Sequence, residues 1–397
     1  MDAVTQAHKN LKLIYILKIF TKRVFFPIVP IYLMTYLHFS IQEIGLVSVL
    51  FSLVSILTNV PAGYFADRFG RANSLRLMAI IEIIATLCYF FAETKLGVVV
   101  AITFEAIGYA FYIGAGEALV HDSLELTKQE KNYTKVVARA QSFALIINAV
   151  LVALIPMTYA LSPKLPFLFG TVAFSILLIT ALNMNEVLPL AKREKVKKRL
   201  NLKGFELLLK HYKIALFAIL LGIIGALYYS FDIFTIALKQ FGMNPEFVGW
   251  VFAGASLLGA LLGLGVHYLK RLSITAYMVL DVCVLVLPFI AIYTANLSFM
   301  VIAIMLFMAF WRFRKVIYQH HAFERFSTRY KSTLISALFM MEDIQGLWIP
   351  IALTSSIAAF GMSMGMGYGA IVILLIGAPF VIFGQLVFGQ SKLKTDE

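Results

Sequence analysis

Eleven ionisable residues are threaded through long apolar stretches of this chain. Lys18, Lys22 and Arg23 fall in "YILKIFTKRVFFPIVPIYL", which starts at Tyr15. Glu105 and Glu117 fall in a later stretch, Asp232 in another, and Arg312, Arg314 and Lys315 in a fourth; Glu342 and Asp343 follow. Two kinds of chemistry suit such residues. A cation can receive an anionic group, and a carboxylate can take up and release a proton. A lone charge in hydrocarbon costs at least about 2.5–3.5 kcal/mol, so each should face a partner or a wet cavity.

The elements that position these residues follow from composition. Of 397 residues, 61% are hydrophobic and 14% charged, with a mean hydropathy of +0.87. A soluble domain carries about 25% charged residues. Apolar runs near the roughly 20 residues of a spanning helix occur at 13–37, 43–66, 74–93, 97–121, 136–160, 166–186, 214–239, 245–269, 272–294, 297–322, 332–358 and 366–389. In lipid each backbone group must be satisfied within its own segment, so these runs read as helices. The fold class is therefore all-α and membrane-embedded, with twelve transmembrane helices. With no cleavable leader ahead of the first run, that span is expected to direct the chain to the membrane.

The net charge of +13 does not imply nucleic acid, because the basic residues lie between the apolar runs. With the N-terminus inside, the outer loops hold only Lys95, Lys164 and Lys239, and the inner loops hold many more. That asymmetry predicts that both termini are cytoplasmic, in the inner membrane of a bacterium. Cys88 and Cys283 sit inside apolar runs and suggest no disulfide or metal framework. His320, His321 and Glu324 have a spacing a metal could use, but an interfacial histidine pair is the commoner arrangement and no metal is expected.

Residues 1–187 and 214–397 hold six spans each. Between them, residues 188–213 form a basic linker, with an amphipathic stretch from Leu202 to Tyr212 suited to the inner leaflet and its lipids. "GYFADRFGR", Gly63 to Arg71, is echoed by "GLGVHYLKR", Gly263 to Arg271. Gly63 allows close approach of a neighbouring helix, and Gly70 permits a sharp turn. Asp67 suits the positive end of a helix. Arg71 can grip a carboxylate with a bidentate fork, and Asp122 is its candidate partner.

Gly63, Asp67, Arg68, Gly70 and Arg71 match the pattern G-x-x-x-D-R-x-G-R. With twelve spans and a basic central linker, the chain resembles the major facilitator superfamily over essentially its whole length. The resemblance implies two pseudo-symmetric six-helix bundles, a cytoplasmic gate built on this loop, and a central cavity lined by spans 1, 4, 7 and 10. The comparable position in drug–proton exporters of that family is often Arg, but here it is Glu105, and span 5 carries Pro156 and no glycine. Both features argue against that subclass.

On this basis Lys18, Lys22, Arg23, Tyr109, Tyr112, Asp232, Arg312 and Lys315 are expected to line a substrate site, and Glu105, Glu117, Glu342 and Asp343 to carry protons. Among the charges on the cavity spans and span 11, six cations face five acids, a slight bias toward an anionic or zwitterionic group. The competing expectation is a purely structural layer pairing Lys22 or Arg23 with Glu342 or Asp343, and Arg312 or Lys315 with Glu105 or Glu117. Glu82 and Asp281 lie on spans the resemblance places at the periphery, where they would pair locally or snorkel. No phosphate-binding G-x-x-x-x-G-K-[ST] run and no catalytic constellation occurs. The expectation is a non-enzymatic, cofactor-free, monomeric secondary transporter of a small organic solute, coupled to protons or another ion. A lipid or lysolipid flippase, or a receptor on the same scaffold, is the alternative.

Overall fold

The computed structural model describes residues 2–112, 115–129, 132–187, 212–264, 269, 271–325 and 340–388. Among them 11 helices are long and apolar enough to cross a membrane. The linker at 188–211, most of the second motif copy including His267, and residues 326–339 at the start of span 11 lie outside the described residues.

The chain divides into two compact units. One comprises Met1–Phe39, Leu50–Lys197 and Asn244–Ala253; the other comprises Ser40–Val49, Lys198–Met243 and Gly254–Glu397. The helices through the N-terminal half are α1 (Ala3–Phe20), α2 (Val29–Thr35), α3 (Ile41–Phe69), α4 (Arg71–Phe91), α5 (Lys95–Tyr112), α6 (Ala115–Leu126), α7 (Tyr133–Leu154) and α8 (Leu165–Asn183). Then come α9 (Tyr212–Leu227), α10 (Phe231–Gln240), α11 (Pro245–Leu264), α12 (Ile274–Tyr293), α13 (Leu297–Arg325), α14 (Ile349–Phe360) and α15 (Met362–Phe388).

The first span corrects the sequence reading. A continuous helix over 13–37 is expected; instead α1 starts at Ala3, ends at Phe20 and gives way to an unwound stretch before a 3₁₀ turn at Phe26–Ile28 and α2. The cause is local. Pro27 and Pro30 lack a backbone N–H and disfavour helix in the residue before them, yet suit the first turn of a new helix. In lipid the freed carbonyls need partners, and the Asn148 amide supplies one by donating to the Ile19 carbonyl at 2.8 Å.

Among the described residues, spans 7 and 11 are also interrupted. Span 7 turns at Tyr228–Ser230 between α9 and α10, and span 11 turns at Gly346–Trp348 between the helical residues 340–345 and α14. Span 5 passes at Pro156 into a 3₁₀ stretch, Pro156–Ala160. Helix α3 starts with a reciprocal cap: the Ser40 N–H donates to Glu43 at 2.7 Å, and the Glu43 N–H donates to Ser40 Oγ at 3.2 Å.

In the first unit α4 packs on α5 and α8, and α1 packs on α6, α7 and α8. Tyr89 stacks on Phe167 with ring centroids 4.9 Å apart, and buried Tyr32 donates its hydroxyl to the Tyr89 carbonyl at 3.0 Å. In the second unit α12 packs on α13 and α15. There Tyr228 stacks on Phe307 at 4.5 Å, with Phe234 edge-on to Phe307 at 5.0 Å. These rings fill the helix interfaces beside the polar side chains.

Candidate functional site

Each unit holds an arginine with carboxylates around it, half-buried in the first unit and fully buried in the second. In the first, Arg23 lies on the unwound stretch after α1 and pairs with Glu105 of α5. The second oxygen of Glu105 accepts the Tyr89 hydroxyl at 2.7 Å. The Arg23 guanidinium lies 4.9 Å from the Phe26 ring centroid and 5.2 Å from that of Phe51, where ring faces attract a cation. Glu82 of α4 is 2% exposed and interacts electrostatically with both Glu105 and Arg23. Five residues before Arg23, in the last turn of α1, Lys18 Nζ sits 3.1 Å from Glu117 and 3.3 Å from the Tyr112 hydroxyl.

In the second unit the buried base is Arg314 of α13. Its Nε donates to Asp281 at 2.9 Å and its Nη1 to Glu342 at 2.8 Å, while Nη2 reaches the Leu221 carbonyl at 3.2 Å. Asp281 also accepts the hydroxyls of Tyr228 and Tyr318, each at 2.8 Å. Arg314 is 2% exposed and Asp281 fully buried. A buried charge is tolerated when it is paired and its remaining donors are satisfied, and this cluster meets that condition.

Arg312, two residues earlier, is placed differently. Its Nη2 donates to Ser256 Oγ at 2.8 Å, a neutral partner. Its Nε is buried, with no hydrogen-bond partner among the described residues. The absence of a side chain at Gly259 makes the room: a Cβ there would lie 2.9 Å from Arg312 Cδ. A guanidinium with unused donor capacity can receive a carboxylate or phosphate with a bidentate fork.

Several expectations need correction. Arg23 takes Glu105, and Glu342 takes Arg314, so these pairs differ from the partners expected for the structural layer. Of the two alternatives for Asp281, pairing or snorkelling, the structure shows pairing, at the hub of a buried network. Glu117 is 56% exposed on its side chain, so it is not the deeply buried acid the sequence suggests. Asp232 opens α10, where the helix dipole favours an acid, and accepts the Ser48 hydroxyl at 2.9 Å. Tyr109 is half exposed and its ring lies 5.9 Å from Phe51. Lys22 and Asp343 are involved in further interactions of their own. The Lys315 side chain lies outside the described residues.

The motif is largely a helix end: Gly63 to Phe69 close α3, Gly70 is the one residue between the helices, and Arg71 opens α4. Gly70 has φ +106°, a conformation L residues resist. Arg71 pairs with Asp122 and donates to the Ala118 carbonyl at 2.7 Å, tying α4 to α6. The N-terminus of α4 is taken by Glu186, which accepts the Ala72 N–H at 2.7 Å; Asp67, expected to serve a helix start, is exposed. Arg68 is also exposed and donates to the Tyr64 hydroxyl at 2.8 Å. No described atom lies within 4 Å of where a Gly63 Cβ would stand, so the close helix approach expected there is not seen.

The reading of the sequence missed Arg314, Glu82, Glu186 and Arg76 as organising residues. Arg76 donates to the Ala181 carbonyl at 3.2 Å and the Met184 carbonyl at 2.7 Å, closing the end of α8. The available signal was periodicity: Arg314 and Tyr318 are four apart and share a helix face.

A family model described as Major Facilitator Superfamily matches residues 11–350. No curated protein matches the chain. Among solved structures, a point variant of the nucleoside transporter NupG superposes with a TM-score of 0.83 at 14% identity, covering 96% of this chain and 100% of that one. A bacterial homologue of the human lysosomal transporter Spinster, inward-facing and unoccupied, gives 0.72 at 15% identity with 99% of each chain covered. A POT family transporter in complex with 5-aminolevulinic acid gives 0.70 at 13% identity, covering 95% of this chain and 96% of that one.

Proposed function

Because this chain belongs to the Major Facilitator Superfamily, we propose that it is a secondary active transporter of a small organic solute carrying an anionic or zwitterionic group, driven by protons through alternating access. The observation that carries the proposal is Arg312. Lys18, Arg23 and Arg314 each hold a carboxylate, whereas the described partner of Arg312 is a serine, and its Nε is left without one. A substrate carboxylate or phosphate there would complete the pairing that the other three have within the protein. Among the structural neighbours, one is described with a small amino acid bound.

The same reading places both termini in the cytoplasm of a bacterial cell, from the lysine and arginine asymmetry of the loops, with the protein acting as a monomer. The Arg71–Asp122 pair beside the motif loop is assigned to the cytoplasmic gate. Tyr229 and Trp311, with ring centroids 6.3 Å apart, are aromatic surfaces on which the organic part of the solute can lie.

The test is a thermal-shift screen of nucleosides, dipeptides, amino acids, organic anions and lysolipids against purified protein and its Arg312→Gln variant. The expected result is that anionic or zwitterionic solutes raise the melting temperature of the wild type and lose that effect in the variant. Stabilisation by lysolipid alone, with leaflet exchange of labelled lipid in vesicles, would replace this reading with a flippase.

A further inference from the structure

We propose that Glu82 is the proton-holding acid of the first unit, sharing the single base Arg23 with Glu105. The inference deepens the proton-coupled reading above and rests on it.

Glu82, Glu105 and Arg23 bring two carboxylates and one guanidinium to a site where Glu82 is 2% and Glu105 3% exposed. If both acids ionise, two buried carboxylates share one guanidinium that is itself 28% exposed on its side chain, and the net negative charge on the buried pair is costly. One bound proton makes the cluster neutral. The donors decide which acid holds it. Glu105 receives Arg23 on one oxygen and the Tyr89 hydroxyl on the other, so its anion is satisfied. Glu82 Oε2 is buried with no hydrogen-bond partner among the described residues. A carboxylate left that way is penalised far more than a neutral carboxylic acid.

The surroundings of Glu82 do not supply a second base. The charged groups that face it are Glu105 from α5 and Arg23. Helix α8 packs on α4 and has no ionisable residue between Leu165 and Asn183. On α4 itself, Arg76 is spent on the end of α8. The side chain of Glu82 lies flat against Gly108, where a Cβ would come within 2.8 Å of Oε1.

The second unit serves as an internal control. It has the same inventory of one arginine and two acids, but there the donors suffice. Asp281 accepts from Tyr228, Tyr318 and Arg314, and Glu342 accepts from Arg314. Donor supply therefore singles out neither acid there as a proton holder, as it does Glu82 in the first unit. The first unit lacks that supply.

The consequence is mechanical. Protonation forms the Oε2–H bond of Glu82 at the expense of a hydronium ion, and release reverses it. When the proton leaves, two anions compete for Arg23, which sits on the unwound stretch between α1 and α2. The proton therefore acts on the break in the first span.

Infrared spectroscopy of the purified full chain tests this directly. A protonated carboxylic acid has a carbonyl stretch distinct from amide and carboxylate bands, and it shifts in heavy water. The wild type is expected to show it at neutral pH, and Glu82→Gln to lose it. Glu105→Gln should lose it too, because Glu82 then becomes the sole counter-ion of Arg23. A band that survives Glu82→Gln, or no band in the wild type, overturns the proposal. If the band behaves as expected but no solute shows proton-driven uptake, the proton site stands and the transport reading fails. If uptake is proton-driven while Glu82→Gln retains the band, the reading stands and the proton is held elsewhere.

Discussion

Arg314 and Lys18 each hold a carboxylate near 3 Å, at 2.8 and 3.1 Å, yet their removal should cost different amounts. Arg314 and Asp281 are shut off from solvent, so Arg314→Gln leaves two acids buried without their base. That is expected to cost about 3–5 kcal/mol, seen as a large drop in melting temperature or loss of folded protein. The Glu117 side chain is 56% exposed, so Lys18→Met should cost about 1 kcal/mol or less. Equal losses in the two variants would contradict this ranking. The sequence shows that these residues are charged and embedded. It does not show which acid each base takes, because partners 82 to 99 residues apart, such as Arg23 with Glu105 or Lys18 with Glu117, are set by how helices rotate against one another. Glu82 and Asp281 were hardest to read, since an isolated acid on an apolar helix looks the same whether it reaches the headgroups or turns inward.

Among the elements, breaks and charges coincide. Arg23 lies at the break in span 1, Asp232 in the first turn after the break in span 7, and Glu342 shortly before the turn in span 11. Both spans read as unbroken by hydropathy; Pro27 and Pro30 carry a signal for the first break that this reading leaves unused, whereas the turn at Tyr228–Ser230 contains no proline or glycine to mark it. Small residues set the approach of the helices. Gly225 packs directly on the Glu342 side chain, so Gly225→Ala is expected to push Glu342 away from Arg314 and cost about 1–3 kcal/mol, measured by denaturation in detergent. Wild-type stability in Gly225→Ala would show that Glu342 moves freely.

A second element-level test lies outside the membrane. Glu93, in the α4–α5 connection, pairs with Lys164 at the start of α8 and accepts the Tyr36 hydroxyl at 3.2 Å. The hydrogen bond and charge of Lys164 hold the Glu93 carboxyl below its usual range. A lowered value in the folded state means that the contact stabilises above the ordinary carboxylate pKa and fades as pH falls through the lowered one. Glu93→Gln should therefore melt slightly below the wild type at neutral pH and match it in acid. A gap that widens toward acid would reverse the assignment. The contact is exposed, so the gap should be small.

For the whole molecule, hydropathy was enough to give the fold. Apolar runs, loop charge and the motif from Gly63 to Arg71 lead to the family because lipid admits few alternatives. The proposed substrate class was not legible in the same way, since the proposal rests on a cation that keeps spare donors, and that is a matter of geometry at Arg312, Ser256 and Gly259. The most direct measurement is uptake into sealed vesicles holding the purified protein, with an imposed pH gradient and a panel of nucleosides, dipeptides, amino acids and organic anions. At least one anionic or zwitterionic solute should accumulate, stop accumulating when the gradient is collapsed, and bind roughly tenfold or more weakly in Arg312→Gln, as expected for loss of a charged hydrogen bond. Uptake that is indifferent to Arg312→Gln, or no gradient-driven uptake of any solute, would contradict the account.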